Sequence, residues 1–253
     1  MSKNSAISSD VSHLRIEEAL YAIRDKDVKS ATIERLKITW EADELVKSLP
    51  QQIQLGEGLY YILDHISVPV SPYDLILGRI NEEVPDEDGE QLLLKTQEEW
   101  HRGIPPWMLD GGHECFDWKR LLKLGLPKLE EFARQELNRR ISSGETGAHL
   151  DFLRGAERVY QAFRNYARRY ALSAQEMGLY DQANNCFAIA ERSPETFAEA
   201  LQLIWLVGIV YCSIGAVNAT LTFGRLDELL LGYYFSDLDS GILTREEAGA
   251  MIE

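Results

Sequence analysis

Residues 193–241 decide the fold: SPETFAEALQLIWLVGIVYCSIGAVNATLTFGRLDELLLGYYFSDLDSG. Ser193 followed by Pro194 predicts a helix start, because serine caps helices and proline fits the first helical position. Every residue from 203 to 212 is apolar or glycine. A helix that is apolar on all sides must be enclosed, so we expect a buried core helix. A membrane span is disfavoured, because it needs about 20 consecutive apolar residues.

The residues after this helix predict a strand and two further helices. Residues 219–223 alternate small or polar with apolar side chains, which favours a short strand. Residues 226–239 predict a helix, and Thr244 with Glu247 forms a capping box that begins another. Helix, strand and helix in succession are typical of an α/β core.

Composition excludes several classes of partner and site. The net charge of −15 disfavours nucleic acid and anionic membranes. Cys115, Cys186 and Cys212 show no CxxC spacing, so we predict a reducing compartment without disulfides or structural zinc. The polar start of the sequence has no apolar signal-peptide segment. A cytoplasmic protein is therefore expected.

The preceding residues predict a mainly α protein with a few short strands. The predicted helices begin near Leu14 and then cover residues 31–49, 57–66, 118–124, 126–141, 151–177 and 184–190. Residues 1–12 predict a flexible tail. Residues 74–78 predict a short buried strand ended by glycine. Residues 81–90 predict an acidic, solvent-exposed loop, because their carboxylates lack the spacing of a calcium loop.

Residues 100–117, WHRGIPPWMLDGGHECFD, predict an ordered loop of functional interest, because long loops of this composition are either functional or disordered. A metal site at His101 and His113 is disfavoured, since no further ligands are spaced to complete it. Cys115 lies two residues after His113, but no carboxylate is placed to orient a nucleophilic pair. Cys212 is interpreted as a small core residue.

Two sets of motifs resemble the glycyl radical enzymes, the pyruvate formate-lyase-like group. The first set is Glu199-Ala200-Leu201-Gln202, Thr222-Phe223-Gly224-Arg225, Asp227, Tyr233, Asp237, Gly241, Thr244 and Glu246-Glu247-Ala248. The second, Gly112-His113, Asp117, Leu121-Leu122 and Gly125-Leu126, resembles the substrate loop of the dehydratase and decarboxylase branches. The resemblance implies the N-terminal part of an α/β barrel, with the barrel incomplete.

The resemblance also implies a radical reaction. A glycyl radical, installed by a separate iron–sulfur activating enzyme, generates a cysteine thiyl that takes a hydrogen atom from the substrate. The family's Gly-Cys-x-Glu-like and Arg-Val-x-Gly-like loops do not occur in this sequence. We therefore expect residues 1–253 to be the N-terminal portion of a pyruvate formate-lyase-like domain, from a truncated, split or incompletely represented protein. Such a chain is expected to be inactive alone and to bind no cofactor or metal.

Four residues carry the expected site. His113 matches the position near the substrate hydroxyl in the dehydratase branch; the alternative is a loop histidine that bonds backbone carbonyls. Thr222 replaces the serine usual before Phe-Gly-Arg and is expected to bind substrate, or else to be an ordinary strand residue. Arg225 and Asp227 are expected to form a structural pair at the barrel rim. The implied partners are a small, hydroxylated substrate, the activating enzyme and a second copy of the chain.

A different function class remains open. The chain could be a non-catalytic, mostly helical binding protein derived from the same fold. That hypothesis predicts a soluble chain that unfolds cooperatively. The enzyme hypothesis instead predicts that the reading frame beyond residue 253 encodes the two radical loops.

Overall fold

A computed structural model describes residues 32–81, 84–100, 103–110, 112–217 and 220–252, and these are mainly helical. The helices are α1 (Ile33–Val46), α2 (Gln51–His65), α3 (Glu87–Glu99), α4 (Trp118–Ser142), α5 (Ala148–Glu176), α6 (Tyr180–Glu191), α7 (Phe197–Ile209), α8 (Leu226–Asp239) and α9 (Arg245–Ile252). The strands are β1 (Leu109–Asp110), β2 (His113–Glu114), β3 (Ala216–Val217) and β4 (Thr220–Leu221). The predicted tail, the helix near Leu14 and His101 lie outside the described residues.

Helix α5 is the centre of the helical layer and packs against α2, α4 and α6. Its inner face is closed by Tyr166 and Tyr170, which are both fully buried. Arginines on another face of α5 are paired with acids: Arg158 with Glu57 at 3.0 Å, and Arg164 with a buried glutamate of α4. The apolar periodicity therefore predicts the buried face of α5, and the excess of acidic residues supplies the partners of its arginines.

Helix α2 begins six residues before the predicted start at residue 57. Gly56 lowers the helix propensity of this segment, so the sequence pattern did not predict the first turns of α2. The glycine is needed for packing: a Cβ at Gly56 would overlap the carbonyl oxygen of Gly155 in α5 and lie 2.7 Å from its Cα. Close approach of the two backbones replaces the missing side-chain contact.

The predicted acidic loop at residues 81–90 is wrong from Asp86 onward. Asp86 caps α3 by accepting a hydrogen bond from the backbone N–H of Gly89 at 2.8 Å. The acidic residues of the first turn lie near the positive end of the helix dipole. The cluster of carboxylates therefore begins a helix.

The predicted strand at residues 74–78 is also wrong, although Leu77 is fully buried as expected. The buried side chain of Gln202 in α7 takes the place of a neighbouring strand. Its Oε1 accepts from the N–H of Leu77 at 2.8 Å, and its Nε2 donates to the carbonyl of the same residue at 2.7 Å. One side-chain amide thus satisfies both backbone groups of Leu77.

Helix α7 begins three residues later than predicted, at Phe197. Thr196, not Ser193, is the N-cap, and its hydroxyl accepts from the N–H of Glu199 at 3.2 Å. The backbone of Ser193 instead lies against the kink of α4 at Gly125, where a Cβ would be 2.7 Å from the Ser193 Cα. Gly125 has a φ of 69°, so α4 consists of the two predicted helices joined at a bend.

The predicted enclosure of residues 203–212 on all sides is wrong for one side. Leu203 and Leu206 are fully buried, but Trp205 is 41% exposed and Cys212 is exposed. The helix turns π-helical over Val210–Gly215, and this change of period rotates Cys212 out of the core. The segment Phe197–Ile214 is long and apolar enough to cross a membrane, yet 67% of it is buried in the protein, as in a core helix.

The open side of α7 faces a cleft of about 1590 Å³ that is shared with α8 and α9. The bounds of α8 match the prediction at both ends. The capping box before α9 is confirmed, because Thr244 and Glu247 bond each other's backbone N–H groups.

The four strands form two parallel pairs, β1 with β3 and β2 with β4. In the second pair, His113 is opposite Thr220 and Glu114 is opposite Leu221. The predicted strand at residues 219–223 is therefore present as Thr220–Leu221, and residue 219 lies outside the described part of the chain. The result is a mainly helical protein with a small parallel sheet.

Candidate functional site

The candidate site is built on the β2–β4 ribbon. Backbone hydrogen bonds run from the N–H of Thr220 to the carbonyl of Gly112 at 2.9 Å and from the N–H of Thr222 to the carbonyl of Glu114 at 2.8 Å. They hold the loop before α4 beside the segment that follows α7. The two predicted substrate-binding residues, His113 and Thr222, are thereby brought to one ribbon.

One face of this ribbon is exposed. Opposite residues of a parallel pair share a face, and so do residues two apart on one strand. His113, Thr220 and Thr222 therefore lie on the same face, and all three are exposed. Leu221 and Phe223 are half-buried and pack against the core on the other side. We call the first of these sides the exposed ribbon face.

Behind the ribbon, aromatic side chains fix its position. The indole Nε1 of Trp118 donates to the carbonyl of Thr222 at 3.0 Å, and its ring lies 5.6 Å from that of Phe223. Phe116 makes edge contacts with Trp118 at 5.4 Å and with Tyr211 at 5.1 Å. The sequence pattern did not indicate Trp118 or Tyr211 as part of the site. For Trp118 the signal was the aromatic content of residues 100–118; for Tyr211, inside an apolar run, there was none.

Tyr211 links the aromatic cluster to the loop that carries His113. Burial raises the pKa of its hydroxyl, and the nearby carboxylate of Glu114 raises that pKa further. A hydrogen bond from the backbone of Gly112 acts in the opposite direction. The phenol is therefore neutral at physiological pH.

The structure shows no catalytic partner among the described residues for the cysteine predicted near His113. Cys115 is exposed, and its Sγ contacts the carbonyl of Phe116 at 3.8 Å. Among the described residues, no group of three or more His, Cys, Asp or Glu side chains could hold a metal ion. The expected absence of a metal thus stays a prediction.

Arg225 and Asp227 form a bidentate ion pair with N–O distances of 2.8 and 2.6 Å just before and within the start of α8. Hydrogen bonding from the guanidinium lowers the pKa of Asp227 to about 2. Both side chains are well exposed, at 69% and 64%. An exposed pair stabilises a fold little, so its role at a barrel rim stays a prediction.

Comparison with known proteins gives the family. Residues 96–253, more than half of the chain, match the family model described as pyruvate formate lyase-like. The chain is 30% identical over 153 residues to the probable dehydratase YbiW of Escherichia coli K12, covering 55% of this chain and 19% of that protein. It is 30% identical over 156 residues to (2S)-3-sulfopropanediol dehydratase of Klebsiella oxytoca, covering 56% and 18%.

A solved structure shows the same fold. The glycyl radical enzyme from Archaeoglobus fulgidus superposes with a TM-score of 0.79 at 20% identity, over 94% of this chain and 39% of that one. The chain thus spans about a fifth of the length of these two curated relatives. Since the family model covers most of the chain and a solved glycyl radical enzyme shares its fold, the chain belongs to the pyruvate formate lyase-like family of glycyl radical enzymes.

Proposed function

We propose that this chain is the N-terminal portion of a glycyl radical lyase or dehydratase that acts on a small, hydroxylated metabolite. Two of its relatives are named as dehydratases, and one of these is named for a propanediol substrate. The observation that carries the proposal is the exposed ribbon face, which presents His113 on β2 and Thr222 directly after the paired strand β4.

In this proposal the two side chains bind and orient the substrate. The imidazole of His113 hydrogen-bonds the hydroxyl that leaves, and its protonated form assists departure of that oxygen as water. The hydroxyl of Thr222 supplies a further hydrogen bond. Trp118 fixes the strand that carries Thr222, so the distance between the two groups does not depend on a mobile loop.

The radical itself comes from elsewhere. The Gly-Cys-x-Glu-like and Arg-Val-x-Gly-like loops do not occur in residues 1–253. We assign them to polypeptide outside these residues, with a glycyl radical installed by an iron–sulfur activating enzyme. On this proposal the chain is inactive alone, and the intact enzyme works in the anaerobic cytoplasm as a homodimer.

The open side of α7 supports an incomplete barrel. Trp205 and Leu231 are 41% and 50% exposed along the cleft of about 1590 Å³ beside α7 and α8. Large apolar side chains exposed together along a cleft favour an interaction site. In the intact enzyme, the remaining strands and helices of the barrel would cover this cleft.

The test reads the coding frame beyond codon 253 and then assays the intact enzyme. The enzyme is activated anaerobically, its radical is counted by electron paramagnetic resonance, and elimination from small diols is measured. At unchanged radical content, His113→Gln is expected to lower kcat/KM by about 10²-fold or more. Thr222→Val removes one hydrogen bond and is expected to lower it by up to about tenfold. Lys123→Gln, an exposed change on α4, is the matched control.

Two results would overturn the proposal. One is a stop at codon 254 in a genome with no second gene for the radical loops. The other is full turnover by both site variants at wild-type radical content.

A further inference from the structure

A second cavity, of about 670 Å³, lies between α2, α4 and α5. His113, Thr220 and Thr222 of the exposed ribbon face do not line it, but Phe116 and Tyr211 from the aromatic cluster behind the ribbon do. Its walls are apolar and include Leu59, Leu126, Val159 and Phe163. Its volume falls within the range of about 300–1,000 Å³ that is typical of small-molecule sites. We call it the α4–α5 cavity.

The polar residues that line this cavity are Asp117, Arg120, Tyr160 and Tyr211. Burial raises the pKa of Tyr160, and the positive charge of Arg120 acts against that rise. The neighbouring carboxylate of Asp117 is engaged as the cap of α4, where it accepts the backbone N–H of Arg120 at 3.1 Å.

Arg120 lacks the partner that its neighbours have. On α5, Arg154, Arg158 and Arg164 are each ion-paired with a carboxylate. Within the described ranges no carboxylate lies within 4 Å of the Arg120 guanidinium. Arg120 is exposed to solvent and lines the cavity without an acidic partner, so its guanidinium is accessible to an anion from outside.

The mouth of the cavity is open and aromatic. Phe152 on α5 is 63% exposed, and Phe132 on α4 is 38% exposed. Both rings line the cavity. Exposed aromatic rings therefore adjoin the apolar walls of the cavity.

From this geometry we propose that the α4–α5 cavity binds a linear amphipathic carboxylate, with its chain among the apolar walls and its carboxylate on Arg120. The guanidinium donates two N–H groups to the carboxylate, an arrangement that arginine geometry favours. The hydrocarbon chain gains from leaving water. This binding does not depend on the proposed radical chemistry.

The experiment titrates the purified chain with decanoate, below its micelle-forming concentration, and with 1-decanol by calorimetry. Decanoate is expected to bind saturably at one site. Arg120→Gln should weaken decanoate at least about tenfold while leaving decanol within about twofold. Lys123→Gln, one turn along the same helix and outside the cavity, should change neither. Ala156→Phe fills the cavity and should abolish binding of both probes.

A melting curve of each variant separates loss of the site from loss of the fold. If Ala156→Phe does not fold, Val159→Phe takes its place. Failure of wild-type chain to bind decanoate saturably overturns the proposal and leaves the cavity to an apolar segment of polypeptide. Equal decanoate affinity in wild type and Arg120→Gln overturns it as well, because the carboxylate would then not contact Arg120.

Discussion

Replacing Gln202 by leucine is expected to destabilise the protein strongly, although leucine is similar in size and more apolar. Gln202 and Leu77 are both fully buried. Two hydrogen bonds, of 2.7 and 2.8 Å, join the amide to the N–H and the carbonyl of Leu77. In Gln202→Leu both backbone groups remain buried without a partner, and water cannot reach them.

The expected loss follows from the number of orphaned groups. A buried donor or acceptor without a partner costs about 1–3 kcal/mol, so two of them cost about 2–6 kcal/mol. The additional apolar surface of leucine offsets part of this. We expect the free energy of unfolding to fall by about 3 kcal/mol, which lowers Tm by roughly 6–12 °C in a chain of this length.

The assay is urea unfolding followed by far-ultraviolet circular dichroism. The midpoint should fall while the slope m stays the same, because the surface exposed on unfolding hardly changes. Gln135→Leu is the matched control: Gln135 is exposed and bonds Glu131 within one helix, so the change should stay below about 0.5 kcal/mol. A loss below about 1 kcal/mol in Gln202→Leu would show that the amide does not hold Leu77.

Two further changes test packing and charge. Gly56→Ala should destabilise the protein by about 1–3 kcal/mol, because the new Cβ overlaps Gly155. Gly232→Ala places its Cβ where no atom lies within 4 Å and should stabilise the protein by up to about 1 kcal/mol. Chemical denaturation measures both free energies of unfolding, and equal effects would refute the packing argument. Arg225→Gln should raise the pKa of Asp227 from about 2 towards the ordinary value near 3.9, as read by NMR titration. Because the pKa of Asp227 is depressed in the native ion pair, the pair is intact at pH values above the ordinary aspartate pKa and is lost as pH falls through about 2. If the titration midpoint of Asp227 does not change in Arg225→Gln, the guanidinium is not the cause of the depressed pKa.

Local signals in the sequence predict some elements well. Helix α8 and the box formed by Thr244 and Glu247 depend on neighbouring residues alone, so the pattern contains the information. The bend at Gly125 is predicted for the same reason. The sequence pattern does not predict a structure that depends on a residue distant in sequence. The backbone of Leu77 bonds the side chain of Gln202 instead of a neighbouring strand, and the residues around Leu77 do not indicate this.

The candidate site could be predicted from the sequence only in part. Family resemblance singled out His113 and Thr222, but strands of two residues are too short for a period, so their pairing and register could not be predicted. The π-helical turn that exposes Cys212 likewise has no signal in an unbroken apolar run. The unpaired state of Arg120 depends on which acids lie near it in space, and composition does not contain that information.

The ribbon joins segments that are made far apart in time. The indole of Trp118 bonds a carbonyl 104 residues further along, and the amide of Gln202 reaches back 125 residues to Leu77. Contacts of such separation form slowly, because a long loop must close first. On the ribosome, α1 to α6 can therefore assemble early, while a nascent chain that stops short of residue 222 cannot present His113 beside Thr222.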